Sequence, residues 1–345
     1  METKELLKNL SEAIGPSGNE EDAREAYINT LQSDLGVQKD DIYVDNIGNT
    51  IYNFGDPSKP RVMIAAHIDE VGYMITYIDD DGYLFFKKIG GMDQHLLPGR
   101  HVVIKSGKNT IPGIIGRQAI HNIKPKNREK TVSIEDCWID IGAKNQEEAS
   151  KWVKIGDIAV LKPDFIELGD HVSGKAFDDR AGVTALYGVI KSLYKEKIPY
   201  DVYAIATVQE EVGLKGAMIA AKELNPDIGI VLEVGFASDF PEGRKKDGVV
   251  KLGGGPVINY GCSMDRELTD KLVETAELSG NPYQLCADPY ADGIDAYSIQ
   301  TRSGAKCINV DIPLRYMHTP HEVLNMNDLD NAASLIVYYL KGELK

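Results

Sequence analysis

Residues 61–70 read Arg61-Val62-Met63-Ile64-Ala65-Ala66-His67-Ile68-Asp69-Glu70. Six residues without an alternating polar face, bounded by turn signals, are the mark of a strand buried on both sides. Such strands belong to a sheet covered by helices on each face, and ligands bind such sheets at the carboxyl ends of the strands. This run ends on an imidazole and two carboxylates. Other apolar runs behave alike. Val202 to Val208 is followed by Glu210-Glu211, and Ile228 to Val234 carries Glu233 near its end. Asp178-Asp179 stands just ahead of a helical pattern, and Arg315-Tyr316-Met317-His318-Thr319-Pro320-His321 follows the last strand.

Outward from these runs, the pattern predicts helices at about 2–14 and on to Leu35, then two short extended pieces around Asp45 to Asn49, a hairpin turn. From about Tyr73 to Pro163 alternation, glycines and tight turns dominate, with one short helix near Gln146 to Lys151. After Lys175, helix and strand alternate again. Helices are predicted at Ala181 to Tyr194, Gly216 to Leu224, Arg266 to Ser279, Gly293 to Thr301 and Asn327 to Leu340, with a strand at Lys306 to Val310. The expected architecture is an α/β domain, residues 1–72 and 164–345, interrupted by an all-β insertion, residues 73–163.

The 345 residues carry 38 basic and 53 acidic side chains, a formal charge of −15. A net anion is repelled by nucleic acid and by anionic membrane, so neither is expected as a partner. No apolar run approaches the ~18 residues of a membrane span, and no secretory signal is visible. Cys137, Cys262, Cys286 and Cys307 lie far apart with no paired spacing, which suits reduced thiols in a cytoplasmic enzyme better than a disulfide framework or a structural zinc site; all four are expected to be buried small apolar residues.

One charged residue at a strand end is ordinarily a cap or a solvated side chain. Two histidines and several carboxylates converging on one crevice would repel one another unless cations were present. Imidazole and carboxylate donors without thiolate suit zinc, cobalt or manganese, and their number exceeds what one tetrahedral ion needs, so two divalent ions are expected. The spacing of His67 and Asp69 lets the carboxylate accept from the imidazole and set its tautomer. Adjacent Glu210 and Glu211 diverge in an extended segment, so one can ligate metal while the other faces substrate as a free base. Adjacent carboxylates are poorly placed to flank a glycosidic bond from ~5 Å or more apart, which disfavours a glycosidase. This reading leaves the choice between Asp178 and Asp179 open.

The motifs IGPSGNE (Ile14 to Glu20), DNIGN (Asp45 to Asn49), AAHIDEVG (Ala65 to Gly72), GGMDQHLLPGR (Gly90 to Arg100), GKAFDDRAG (Gly174 to Gly182), TVQEEVGLKGA (Thr207 to Ala217), DGIDA (Asp292 to Ala296) and RYMHTPHEV (Arg315 to Val323) occur in order over some 300 residues. The chain thereby resembles the tetrahedral (TET) dinuclear-metal aminopeptidases, a family of glutamyl and deblocking aminopeptidases some of whose members carry an endoglucanase label. The resemblance implies a three-layer sheet-and-helix metallopeptidase core with an inserted β dimerisation domain. It implies that His67, Asp178, Glu211, Glu233 and His318 bind metal. Asp178 would bridge the ions, His67 and Glu233 would hold one, and Glu211 and His318 the other. Glu210 would be the catalytic base, Asp69 the partner of His67, and the Asp178–Asp179 peptide cis. It also implies peptide substrates and a tetrahedral dodecamer built from dimers.

The family commonly has Asp where this chain has Glu233; related dinuclear carboxypeptidases and N-deacylases tend to have Glu there, and they form the alternative reading. The remaining histidines, His95, His101, His121, His171 and His321, are expected to be surface or hydrogen-bonded residues, with no carboxylate in register beside the first, second and fourth. His121, in the insertion, could contribute to an interface. The basic run Lys124 to Lys130 is expected to be a solvated loop.

Overall fold

A computed structural model describes residues 1–243, 246, 248–289 and 293–342. Helices α1 (Thr3–Glu12) and α2 (Glu21–Leu35) precede strands β1 (Ile42–Val44), β2 (Thr50–Gly55) and β3 (Arg61–His67). Strands β4 (Gly72–Ile78), β5 (Leu84–Ile89), β6 (His101–Ser106), β7 (Asn109–Arg117), β8 (Cys137–Asp140), helix α3 (Gln146–Trp152) and strand β9 (Ile158–Leu161) come next. Then follow β10 (Ile166–Leu168), β11 (His171–Gly174), α4 (Phe177–Leu193), β12 (Asp201–Thr207), α5 (Lys215–Leu224), β13 (Ile228–Phe236) and β14 (Val257–Gly261). The chain continues with α6 (Arg266–Ser279), β15 (Gln284–Asp288), α7 (Asp295–Ser303), β16 (Lys306–Leu314), β17 (Glu322–Asn325) and α8 (Met326–Lys341).

Eight strands form one sheet in the order β1-β2-β12-β3-β13-β16-β14-β15. The four central strands β12, β3, β13 and β16 are mutually parallel, so their carboxyl ends share one edge. Two-sided burial of β3 follows from its sequence. Val62, Ile64 and Ala66 pack into the larger core with α1, α4 and α8, while Met63 and Ala65 pack with α5 and α7 on the other face. Helix α4 is apolar nearly all round and runs buried against β3 and β13. Gly182 makes that docking possible, because a Cβ there would lie 2.6 Å from the Leu232 carbonyl and 2.4 Å from the Asp179 carboxylate.

Strands β4 to β9 close into a barrel in the order β4-β5-β8-β7-β6-β9, within one uninterrupted stretch of chain and around its own core. A third, three-stranded sheet, β10-β11-β17, was not expected. Strand β14 and the edge strand β15 beyond it were also not expected. The closed barrel inserted in an α/β core with helices on both faces is the predicted fold class.

Two cysteines depart from expectation. Cys137 and Cys307 are buried, but Cys262 is exposed and Cys286 half-buried, since β14 and β15 lie at the sheet margin. No helix among the described residues is long and apolar enough to cross a membrane.

Candidate metal centre

Each chemistry-bearing segment reaches the carboxyl edge of the sheet by a different route. His67 ends β3, Glu233 lies in β13, Glu210 and Glu211 sit in the turn after β12, Asp178 precedes the regular part of α4, and His318 lies between β16 and β17. The DNIGN turn braces the glutamate turn. Asp45 Oδ1 accepts from the N–H groups of Ile47, Gly48 and Asn49. Asn49 in turn accepts from Val208 N at 3.0 Å and donates to Gly216 O at 3.0 Å.

The structure brings all the expected ligands together. Asp178 turns one oxygen to each imidazole, Oδ1 to His67 Nε2 at 3.0 Å and Oδ2 to His318 Nε2 at 3.0 Å. Glu233 Oε1 lies 3.4 Å from His67 Nε2, and Glu211 Oε1 lies 3.1 Å from His318 Nε2. Glu210 Oε2 stands 3.8 Å from His67 Nε2. The two adjacent glutamates therefore face different histidines. They do so from a turn rather than the extended segment expected, with Gln209 at φ +56°. Asp179 is also close, its carboxylate grouping with His67 and Glu233. Its oxygens, however, accept from the main-chain N–H groups of Gly182 and His67 at 2.9 and 3.1 Å. The peptide joining Asp178 to Asp179 is cis.

Asp69 is fully buried, and its role differs in detail from expectation. His67 Nδ1 lies 3.2 Å from the main-chain oxygen of Asp69, nearer than the 3.4 Å to its carboxylate. The carboxylate instead accepts from Ser17 Oγ, Glu210 N and Glu211 N. With its proton on Nδ1, His67 donates to Asp69 and leaves Nε2 as a free electron pair aimed into the cluster.

The electrostatics express crowding. Burial pushes Glu210 up to about 10 and Glu233 up to about 8, with neighbouring carboxylates adding to both. Burial likewise raises Glu211. Burial opposes a charged His67, yet Glu233, Glu210 and Asp178 outweigh it and raise the imidazole well above its ordinary value. For His318 burial is again outweighed, by Asp178 and Glu211, and the imidazole rises to about 11. Burial works upward on Asp178, but the bonds from His318 and His67 hold it well below the usual carboxylate range. These opposed shifts come from carboxylates and imidazoles crowded into one buried cluster, a charge pattern that bound cations would relieve.

Other residues complete the site without having been singled out beforehand. Glu70 accepts from Lys175 Nζ at 2.7 Å, from Arg180 Nη2 at 3.0 Å and from Gly15 N at 3.0 Å, all buried. Glu322 receives the main-chain N–H groups of Asp178 and His318. Asp295 accepts from Thr207 Oγ1 at 2.7 Å, its other oxygen is buried without a hydrogen bond, and burial pushes it up to about 6. All lie inside quoted motifs, which was the available signal. Asp292 of the DGIDA motif lies outside the described residues. Left-handed backbone marks the same segments. Ala176, Gln209, Tyr316 and His318 have φ between +55° and +64°, each at or within two residues of a cluster member, a conformation that non-glycine residues adopt at a cost.

Outside the cluster, His95 does have a carboxylate partner, Asp93 at 2.7 Å, contrary to expectation, because the turn folds the two side chains together. His171 pairs with Asn325. His101 and His121 are exposed, and His321 is half-buried.

A family description, M42 glutamyl aminopeptidase, matches residues 48–335. The chain belongs to that family. This M42 chain is 32% identical over 345 residues to the lysyl aminopeptidase of Pyrococcus furiosus, covering 99% of its own length and 97% of the relative's. Its fold superposes with TM-score 0.92 on a TET aminopeptidase from a marine sediment archaeon, Thaumarchaeota archaeon SCGC AB-539-E09, at 35% identity, covering 98% of this chain and 96% of the other. It superposes with TM-score 0.88 on the Pyrococcus horikoshii TET1 peptidase, which can assemble into a tetrahedron or a large octahedral shell, at 35% identity over 98% and 99% of the two chains. The M42 chain is thereby an enzyme, a hydrolase acting on peptides.

Its donors fit metal ions. Glu233 Oε2 is buried without a hydrogen bond and Glu211 Oε1 has only the His318 ring beside it at 3.1 Å, atoms that a cation would satisfy. The ligand atoms of His67, Asp178 and Glu211, and those of His67, Asp179 and Glu233, lie within 4.8 Å of one another.

Proposed function

We propose that the chain is a dinuclear-metal aminopeptidase that removes N-terminal residues from peptides. His67 and Glu233 would hold one divalent cation, Glu211 and His318 the other, with Asp178 shared between them. The observation that carries the reading is Asp178, whose two oxygens each face a different imidazole at 3.0 Å. Asp179 is the weaker candidate because main-chain N–H groups already occupy its carboxylate. Zinc and cobalt suit imidazole and carboxylate donors, and manganese is compatible with them.

Bound divalent cations supply Lewis acidity, lowering the pKa of water and polarising the scissile carbonyl. The protein's own part begins at Glu210, the acidic residue facing His67 that the proposal leaves free of metal. Glu210 takes a proton as water attacks the carbonyl carbon, and delivers it to the nitrogen as the C–N bond breaks. Asp69 keeps the proton of His67 on Nδ1 and fixes where the Glu210 turn begins.

A panel of aminoacyl anilides and N-acyl amino acids, with and without chelator and with added cobalt or zinc, tests the assignment. Anilide hydrolysis that chelation abolishes and cobalt or zinc restores is the expected result. Preference for N-acyl amino acids would favour the carboxypeptidase or N-deacylase alternative that Glu233 raises. Cellulose-oligomer hydrolysis surviving chelation would favour the endoglucanase.

We also infer a homo-oligomer, a tetrahedral dodecamer built from dimers, with residues 73–163 as the dimerisation unit. The assembly of the Pyrococcus horikoshii relative supports this. So do Met74, Tyr77, Ile114 and Trp152, large apolar side chains exposed on that unit. A mass by light scattering near that of a monomer or dimer would count against it. The cysteines Cys137, Cys262, Cys286 and Cys307 are free, which supports the cytoplasmic expectation.

A further inference from the structure

Glu322 opens β17, is 1% exposed, and uses its two carboxylate oxygens on two different segments. Oε2 accepts from the main-chain N–H of Asp178 at 3.1 Å, and Oε1 accepts from that of His318 at 2.7 Å. Neither donor lies in regular structure. Asp178 has φ −78° and ψ 102°, non-helical values ahead of the regular turns of α4, and His318 has φ +59°. Glu322 therefore satisfies two N–H groups that belong to no helix or strand ladder.

The position of Glu322 in the fold explains why one side chain reaches both segments. Strand β17 pairs antiparallel with β11, and Glu322 stands opposite Gly174 at the end of that ladder. Beyond this pair the two chains part. Gly174 runs on to Asp178, and Glu322 is reached from His318, each over four residues. The carboxylate sits in the fork between them.

We propose that Glu322 is a positioning residue of the metal centre, a two-oxygen clamp that fixes Asp178 and His318 relative to each other. The inference rests on the reading that these two residues hold metal. The chemistry demands a carboxylate. A glutamine offers a single acceptor oxygen, and its amide NH2 would confront the second N–H, donor against donor. An aspartate keeps both oxygens but is one methylene shorter and cannot span the same pair of donors without displacing one of them. A residue that merely filled space would tolerate the isosteric glutamine.

The test compares wild type, Glu322→Gln and Glu322→Asp as full-length chains, stripped with chelator and titrated with cobalt. Readouts are cobalt bound per chain, the visible cobalt absorption band, circular dichroism, and kcat and KM on an aminoacyl anilide. Wild type is expected to bind two cobalt ions. Glu322→Gln should retain the wild-type circular dichroism, bind at least one cobalt about 10–100-fold more weakly, and shift the absorption band. Its kcat should fall more than its KM changes, and Glu322→Asp should lie between the two. Cobalt affinity and spectrum unchanged in folded Glu322→Gln would overturn the clamp while leaving the metal reading intact. Failure of both variants to fold would assign Glu322 to the scaffold alone and overturn it too. A wild type that takes up no cobalt would overturn the metal reading and this inference with it.

Discussion

The main-chain N–H of Glu210 donates to Oδ1 of Asp69 over 3.0 Å, tying the turn after β12 to the turn after β3. Oδ2 of the same carboxylate takes Ser17 Oγ at 2.6 Å and Glu211 N at 3.2 Å. One buried side chain thus determines where both glutamates leave the backbone. Asp69→Asn places an amide donor against one of these donors. Metal affinity is expected to fall about 10–100-fold, with a fold intact by circular dichroism. Unchanged metal stoichiometry and unchanged kcat/KM would remove Asp69 from the support of the site.

Glu210 differs from its neighbour in having no part in metal binding under the proposal. Glu210→Gln keeps the shape of the side chain and removes its basicity. Both cations should remain bound, measured by metal analysis after dialysis, while kcat drops by about 10²–10⁴. Full turnover in that variant would sink the assignment of the base.

Behind the site, Arg180 is fully buried and donates to the carbonyls of Ile68 and Ala13 as well as to Glu70. It fastens the α1–α2 connection to the strand that ends at His67. Arg180→Met leaves those acceptors short of a donor, and breaking a buried pair from one side costs about 3–5 kcal/mol. The apparent thermal midpoint should fall by on the order of 10 °C. The double variant with Glu70→Leu should be less destabilised than the two single effects added together, because the Arg180–Glu70 bond is then lost once and not twice, while Lys175 loses its carboxylate partner in both Glu70→Leu proteins alike. Additive effects would mean that Arg180 and Glu70 do not act as a pair.

Much of this arrangement was legible in the sequence for a physical reason. Strands buried on both faces must be apolar throughout, so β3, β12 and β13 appeared as continuous runs, and the charged residues ending them stood out. Strands β14 and β15 did not appear, because a short strand at a sheet margin needs no such run. The choice between Asp178 and Asp179 was closed to sequence reasoning, since adjacent identical residues differ only in where their oxygens go. Glu322 and Asp295 escaped notice because nothing local marks them. Their importance lies in which distant N–H or hydroxyl they meet. The pairing of His95 with Asp93 was missed because strand register was applied to a turn.

Asp239 and Arg315 supply the pH dependence. Arg315 Nε and Nη2 donate to the two oxygens of Asp239 at 2.8 and 2.6 Å, fixing the start of the loop that leads to His318. Burial works upward on Asp239, but Arg315 and the Leu252 N–H outweigh it and hold the carboxyl below its usual value. A carboxyl lowered on folding stabilises the native state above its unfolded value of about 3.9. That contribution disappears as pH falls through the lowered folded value. Asp239→Asn should therefore be less stable than wild type at pH 6–7, and the gap should close progressively below about pH 4. Thermal melts of the two proteins between pH 3 and pH 7 check this, with the metal content of each sample held constant. A gap independent of pH would show that the carboxylate's charge contributes nothing there, leaving only the shape of the side chain to explain any loss.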